Sequence, residues 1–323
     1  MQPLRLAIIV LFSATLASAA APECDRACLK STLDQYLNAV IKHDPTMAPL
    51  SPGFRQTENA VVIKNGTGAW KSVTGLGKLQ RRYLDPVSEQ AAYFGIVEEG
   101  AGSAIVTVRV KVDHKKIAEA EWYMARKGDP GLNGPQQPGQ NAGNFFDPDN
   151  LAANAPPEKS KEAHPSREAM IAATNSYFDG ITTHDGSIIW AYQGCMRVEN
   201  GNTVTGRARG GTVPGDCTTG LQNINVALVG GRRYPVVDEE AGMVLAMAVF
   251  IRKPGTTTRR NAFSEWFSIE NGKIRSIWSA MFYPAPDAPV PNWPPYEGNW
   301  PITVVPPAQP APARGGNPRG ENQ

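Results

Sequence analysis

The sequence predicts an α+β protein built from two copies of one domain, and three observations carry that expectation. Five landmarks recur at one spacing, since Tyr36, His43, Asp44, Glu58 and Asn59 reappear as Tyr177, His184, Asp185, Glu199 and Asn200, each 141 residues on. Each copy opens with a helical pattern and closes with long strand patterns. A stretch rich in Pro, Gly and Asn separates the two. A period this long lies far outside the roughly 20 to 50 residues of stacked repeats, so each copy is expected to own a core. Further echoes continue the register: Val97-Glu98-Glu99 with Val237-Asp238-Glu239 and Gly102 with Gly242, at 140. Lys116-Ile117 with Lys273-Ile274 and Met124 with Met281, at 157, place an insertion of about 17 residues late in the second copy.

Taken in order, residues 1–21 begin with one Arg, run apolar from Leu6 to Leu16 and end in small residues, which reads as a cleaved export signal. The apolar run is shorter than the roughly 17 to 25 residues that span a bilayer, and no later stretch approaches that length, so no membrane partner is expected after cleavage. Residues 22–127 form the first domain. Leu29, Leu33, Tyr36, Leu37, Val40 and Ile41 recur at helical spacing before His43-Asp44-Pro45 ends the helix. Ser103 to Val112 then alternates as a strand, and Ile117 to Ala125 follows after a turn.

Residues 128–165 are expected as a linker. Lys127 to Pro165 holds seven Pro, five Gly and five Asn, too little apolar surface to order itself, with Phe145 and Phe146 able to dock on a domain. The second domain, 166–284, starts at Ser166, a fair N-cap, with Met170, Ala173, Tyr177, Phe178 and Ile181 as its apolar stripe. Met243 to Arg252, Phe263 to Glu270 and Ile274 to Phe282 read as strands, and the last two join through Asn271-Gly272, the strongest hairpin signal in the chain. Helix first and hairpins last predicts a curved antiparallel sheet with its helix. The tail, 285–323, is Pro-rich, with extended chain around Trp293, Tyr296 and Trp300.

Composition narrows function. The 32 basic and 30 acidic residues of the 323 are interspersed and leave a net charge of +2, so nothing draws the protein to nucleic acid. Four cysteines suit an oxidising compartment, secreted or periplasmic, although they formally allow three full pairings. Cys195 and Cys217 bracket a Gly- and Thr-rich loop and look like one pair. Cys24 and Cys28 are four apart, so a bridge between them requires Cys24 to lie in the non-helical lead-in to the first helix. No His stands at ligand spacing from either pair, so no metal is expected.

The order of helix, His-Asp turn, short strand with Glu-Asn and long hairpins resembles the nuclear transport factor 2-like, or SnoaL-like, superfamily. The resemblance implies two tandem α+β cone domains. More closely, Cys24 to Arg126 and Gly194 to Phe282 resemble an exported family, known from fungi and bacteria as a domain of unknown function. The run Cys195-Met196-Arg197-Val198-Glu199-Asn200-Gly201 and the stretch Arg232-Arg233-Tyr234-Pro235-Val236-Val237-Asp238-Glu239 carry that likeness. Superfamily enzymes imply proton-transfer chemistry without metal or cofactor inside an apolar cone, while other relatives only bind or dimerise. Single cones of the superfamily often pair through their sheets, which implies a pseudo-dimer within this one chain.

Such a cone needs a carboxylate or a His in apolar surroundings, where desolvation brings its pKa toward neutrality. Strand alternation puts Arg197 and Glu199 on one sheet face, with Glu199 as a base and Arg197 as a clamp for an anionic group, or else the two as a structural ion pair. His184 is a second acid-base candidate, set against a plain helix-ending role shared with His43. Tyr234 is expected as a donor or general acid beside the binder Arg233, with Asp238 a ligand group, a partner for these arginines or a solvated hairpin end. Trp266 is a ring that lines a pocket or belongs to the core. The leading expectation is an exported, cofactor-independent lyase, isomerase or hydrolase acting on a small polar or cyclic compound. The alternatives are a noncatalytic small-molecule or carbohydrate binding module, and an interaction protein.

Overall fold

A computed structural model describes residues 22–134, 145–159, 165–205, 215–256 and 258–285. The expected export signal and the tail beyond Ala285, with Trp293, Tyr296 and Trp300, lie outside the described residues. The first half contains helix α1 (Arg26–Ile41), strands β1 (Leu50–Glu58) and β2 (Val61–Ile63), the short helix α2 (Ala69–Ser72), and strands β3 (Gly75–Asp85), β4 (Gln90–Glu99), β5 (Gly102–Asp113) and β6 (Lys116–Arg126). A short helix α3 (Pro148–Ala153) follows. The second half contains α4 (Arg167–Thr183), β7 (Ala191–Glu199), β8 (Asn202–Thr203), β9 (Val226–Asp238), β10 (Met243–Arg252), β11 (Ala262–Glu270) and β12 (Lys273–Phe282).

Both sheets have six strands and one order, β2-β1-β6-β5-β4-β3 and β8-β7-β12-β11-β10-β9. They are mixed rather than wholly antiparallel as expected, because β1 runs parallel to β6 and β7 parallel to β12. The connection after β2 carries the chain to the far edge of the sheet before the meander starts. The meander then returns to β1 with its last strand pointing the same way.

The repeated landmarks are turn chemistry. Asp25 and Ser166 cap the two long helices by accepting from the backbone N–H groups of Cys28 and Ala169. Past the helices His43 and His184 take left-handed backbone, at φ 57° and 62°, and Asp44 and Asp185 accept from the N–H groups of Thr46 and Ser187. Asn59 and Asn200, also left-handed, each exchange two side-chain hydrogen bonds with the backbone of the last strand, at Met124 and Met281. Asn tolerates that backbone, and its amide imitates a strand at the point where β1 or β7 ends. Cys24 precedes the cap of α1 and pairs with Cys28, and Cys195 pairs with Cys217.

The structure corrects one register. By sheet position β3 and β4 correspond to β9 and β10, so Asp85, not Glu98, is the counterpart of Asp238. The echoes at 140 are coincidental, and most of the inserted length falls early, between β8 and β9.

Each sheet is buried on both faces. On one face α1 covers Val106, Val108 and Trp122, and α4 covers Phe263 and Phe267. The opposite faces meet each other, Tyr83, Phe94, Ile105 and Tyr123 against Leu245, Met247, Trp266 and Trp278. Trp266 packs against Tyr83 with ring centroids 4.7 Å apart and the rings tilted by 42°, and its indole N–H donates to Thr107 of the other half. Residues 145–159 pack rather than hang between the halves: Leu151 is fully buried in this interface, and the Trp278 indole N–H donates to the Asn154 carbonyl.

Charge locks the same interface. Arg26 at the start of α1 makes a bidentate pair with Asp238 of the other half, at 2.8 and 3.0 Å, and Arg167 at the start of α4 reaches Asp85 at 2.8 Å. Both carboxylates are fully buried and each crosses to a strand end, Asp238 accepting from Leu84 N–H and Asp85 from Val237 N–H. Between the sheets Arg109 pairs with Glu119 and Glu121, and Arg233 reaches Glu121 at 3.0 Å. Burial alone would raise the Glu121 carboxyl, but Arg109 and Arg233 outweigh it and hold the group below its usual range.

Asp238→Ala therefore leaves Arg26 without its carboxylate and strips the Leu84 and Ala241 N–H groups of an acceptor. The expected cost is about 2–3 kcal/mol of unfolding free energy, since Arg26 keeps some contact with water. Urea unfolding measures it, and a loss below about 0.5 kcal/mol, the range of ordinary surface substitutions, would remove the clasp from the account of stability.

Candidate functional site

The two halves share an architecture but not an interior, and one row of side chains across each sheet shows the difference. In the first half, pairing sets Glu58, Trp122, Val108 and Tyr93 side by side on strands β1, β6, β5 and β4. In the second half the same row on β7, β12, β11 and β10 reads Glu199, Ser279, Glu265 and Ala246. Two large rings have become Ser and Ala, and the valine between them has become a glutamate.

The first interior is filled by rings that hydrogen-bond through Gln56, whose own Nε2 is buried without a partner. Gln56 Oε1 accepts from the Tyr36 hydroxyl and the Trp70 indole N–H, and the Trp122 indole N–H donates to the Tyr36 oxygen. In the second interior Arg197 occupies the place of Gln56 and donates to the Tyr177 hydroxyl at 2.9 Å, while its Nε lies 2.9 Å from Glu199 Oε1. Ser279 Oγ is buried without a hydrogen-bond partner.

Glu265 is the outlying group. It is 2% exposed, it faces α4 between Phe263 and Phe267, and its Oε2 has no hydrogen-bond partner. Burial pushes its pKa up to about 8, against the attraction of Arg197 and with the help of the Glu199 charge. At neutral pH the side chain thus holds a proton, and one oxygen is aimed into the interior with nothing to bond. Tyr177 and Tyr283 lie close enough to sense these charges, and burial raises both hydroxyls above their ordinary values. The arrangement can offer a proton to a ligand oxygen, or accept one from a ligand, beside a fixed guanidinium. Among the described residues no three His, Cys, Asp or Glu gather as a metal cluster.

The structure gathers only part of the set expected from sequence. Arg197 and Glu199 share the interior face but are bound to each other. His184 ends α4 and its Nε2 lies 2.9 Å from the Val226 carbonyl. The Tyr234 hydroxyl donates to Asn175 of α4, and burial pushes its pKa up to about 12. Arg233, Asp238 and Trp266 lie away from this interior and belong to the contact between the halves; Arg233 and Asp238 sit on opposite parities of β9, and the register shift between them turns both toward the other sheet. Glu265 escaped the sequence reading, although it was findable as a charge on the apolar parity of a strand, between Phe263 and Phe267. A groove of about 510 Å³ along the solvent side of α1, lined by Lys30, Asp34 and Asn38, contains no buried side chain.

Residues 163–281, the second half, match the sequence model of a family described as a domain of unknown function, DUF8021. No curated protein matches the chain. Similar solved structures include a protein of unknown function with a cystatin-like fold from Methylobium petroleophilum PM1, at 18% identity and a TM-score of 0.28, covering 39% of this chain and 82% of that one. An NTF-2 like protein of unknown function from Burkholderia xenovorans LB400 has 15% identity and a TM-score of 0.26, covering 38% of this chain and 88% of that one.

The raised pKa of Glu265 has a stability consequence. Above the ordinary carboxyl value of 4.5 the unfolded chain gives up a proton that the folded chain keeps, so this group lowers stability as pH rises from about 4.5 to about 8 and adds no further change above. The free-energy difference between Glu265→Gln and the parent protein should therefore shift by a few kcal/mol in favour of the variant between pH 5 and pH 8. Denaturant titrations across that range check it, and a difference that stays flat with pH would mean an ordinary carboxyl.

Proposed function

We propose that the second half binds a ring-sized small molecule against Glu265 and that Glu265 exchanges a proton with it, which makes the protein a cofactor-independent acid-base enzyme of the lyase, isomerase or hydrolase kind. The observation that carries this reading is the exchanged row. Trp122 and Tyr93 of the first half stand where Ser279 and Ala246 flank an uncompensated carboxyl in the second. The first half thus supplies a template for what suits such an interior: an indole and a phenol, both flat, mostly apolar and carrying one polar edge.

In this reading Glu265 takes the role expected of Glu199. Glu199 and Tyr177 instead hold Arg197, whose positive charge favours any negative charge that develops on the ligand. Ser279 adds a hydroxyl donor or acceptor. His184 and Tyr234 fasten α4 to β9 and keep the interior roofed. A proton-holding carboxyl within an apolar interior is a useful acid at neutral pH, since its pKa near 8 lies close to the working pH. The first half serves as a scaffold. The two disulfides favour an oxidising compartment, and among the described residues no helix is long and apolar enough to cross a membrane. Export, secreted or periplasmic, is part of the proposal.

Indole and p-cresol serve as probes. Ligand-observed NMR should detect binding of at least one to the parent protein with Kd on the order of 1 mM, as suits ligands of this size. Ser279→Trp, which copies the first half, should abolish it. Failure of both probes to bind the folded parent protein would overturn the site. With a ring-containing substrate identified from such hits, Glu265→Gln should lower kcat by about 100-fold or more, as expected for a general acid or base. Binding with unchanged turnover in that variant would refute the acid-base role.

A further inference from the structure

We propose that Asn65 is an N-glycosylation site whose glycan shields the free edge of the first sheet. Asn65-Gly66-Thr67 is the single Asn-X-Ser/Thr sequence in the chain, and it falls on a surface turn directly after β2. Asn65 is exposed, and its side chain makes no hydrogen bond or ion pair among the described residues. Gly66 takes left-handed backbone at φ 79°, and Thr67 folds back so that its N–H and hydroxyl both donate to the Lys64 carbonyl. The acceptor amide therefore stands clear of the protein on a short, well-defined turn.

The comparison between halves says what the modification would do. Among the described residues β2 is an edge strand that pairs with β1 alone, and its Val61 and Val62 are 62% and 42% exposed. In the second half the matching edge strand β8 is short and polar, and the packed segment before α4 covers it. There the Asn150 side-chain amide donates to the Gly201 carbonyl and the Thr203 hydroxyl, and the Asp147 N–H donates to the Asn200 carbonyl. No described segment does this for β2. An apolar edge with open backbone groups is a template for pairing between molecules, and a bulky hydrophilic group two residues past the strand end hinders that approach.

The chemistry requires a lipid-linked oligosaccharide donor of a secretory pathway. Asn65 Nδ2 attacks the anomeric carbon of the first sugar; a C–N bond forms as the C–O bond to the lipid diphosphate breaks, Nδ2 loses one proton, and the lipid diphosphate leaves. The compartment that supplies such a donor also permits the two disulfides.

The full chain, expressed with its own leader in a yeast, is recovered from both medium and microsomes, and its intact mass is measured before and after peptide-N-glycosidase treatment. The expected result is an added oligosaccharide mass that the enzyme removes, leaving aspartate at position 65, and its loss in both Asn65→Gln and Thr67→Ala. Protein with intact disulfides and an unmodified Asn65 would overturn the site. For the shielding role, protein stripped of glycan should aggregate on warming several-fold faster than the glycosylated form, and Val61→Thr with Val62→Thr should restore the slower rate. Equal rates with and without glycan would overturn the shielding.

Discussion

Neither sheet of this protein has a face left for water, and the rest of the structure follows from that constraint. A six-stranded sheet that buries one face under its own helix still presents a second apolar face, which must be covered. Here the two halves cover each other. Tyr83, Phe94 and Tyr123 on one side and Met247, Trp266 and Trp278 on the other make one continuous core, so neither half completes its burial alone. The segment at 145–159 closes the seam between them, with Leu151 inside it.

Charge gives that apolar contact its register. Flat apolar surfaces slide at little cost, whereas a buried carboxylate tolerates one partner position. Asp85 and Asp238 stand at corresponding strand ends, and each takes an arginine from the start of one helix and a backbone N–H from the other half, so the two clasps fix translation and rotation together. The cluster of Arg109, Glu119, Glu121 and Arg233 adds a third buried point between the sheets. In all three places charge is balanced. Glu265 is the exception: it lies deep on an apolar face, its neighbour Arg197 is already engaged by Glu199, and the protein bears the cost by keeping it protonated.

That contrast separates the interiors of the halves. Where the first interior places Trp122 and Tyr93 in the shared row, the second places Ser279 and Ala246 beside Glu265 and packs Phe178, Phe250, Phe263 and Phe267 elsewhere under α4. Burying an acid that must keep its proton works against folding, and groups of that kind cluster at functional sites. The first half, joined to it face to face, adds burial to the half that carries this acid.

Much of the fold was legible in the chain because turns are local. Asp25, Ser166, His43, His184, Asn59 and Asn200 act on backbone within a few residues or on one adjacent strand, and their recurrence marked the two halves before any contact was known. Strands β5, β6, β10, β11 and β12 showed through hairpin signals and apolar patterning. Strands β3, β4 and β9 did not, because glycines at 75, 77, 95, 230 and 231 and the pairs Arg81-Arg82 and Arg232-Arg233 break up their apolar patterning. With β3 and β9 hidden from view, Asp238 matches Glu98 in sequence, whereas sheet position pairs it with Asp85. The candidate site was only half readable, since Arg197 and Glu199 sit two apart on one strand, whereas the partner that matters, Glu265, joins them through β12, from far along the chain. Sequence by itself determined the elements, their caps and their order, because those depend on near neighbours. Only the tertiary structure decided which faces are buried, which arginines cross between halves and which carboxyl is left without a partner, because desolvation is set by everything packed around a group and not by its place in the chain.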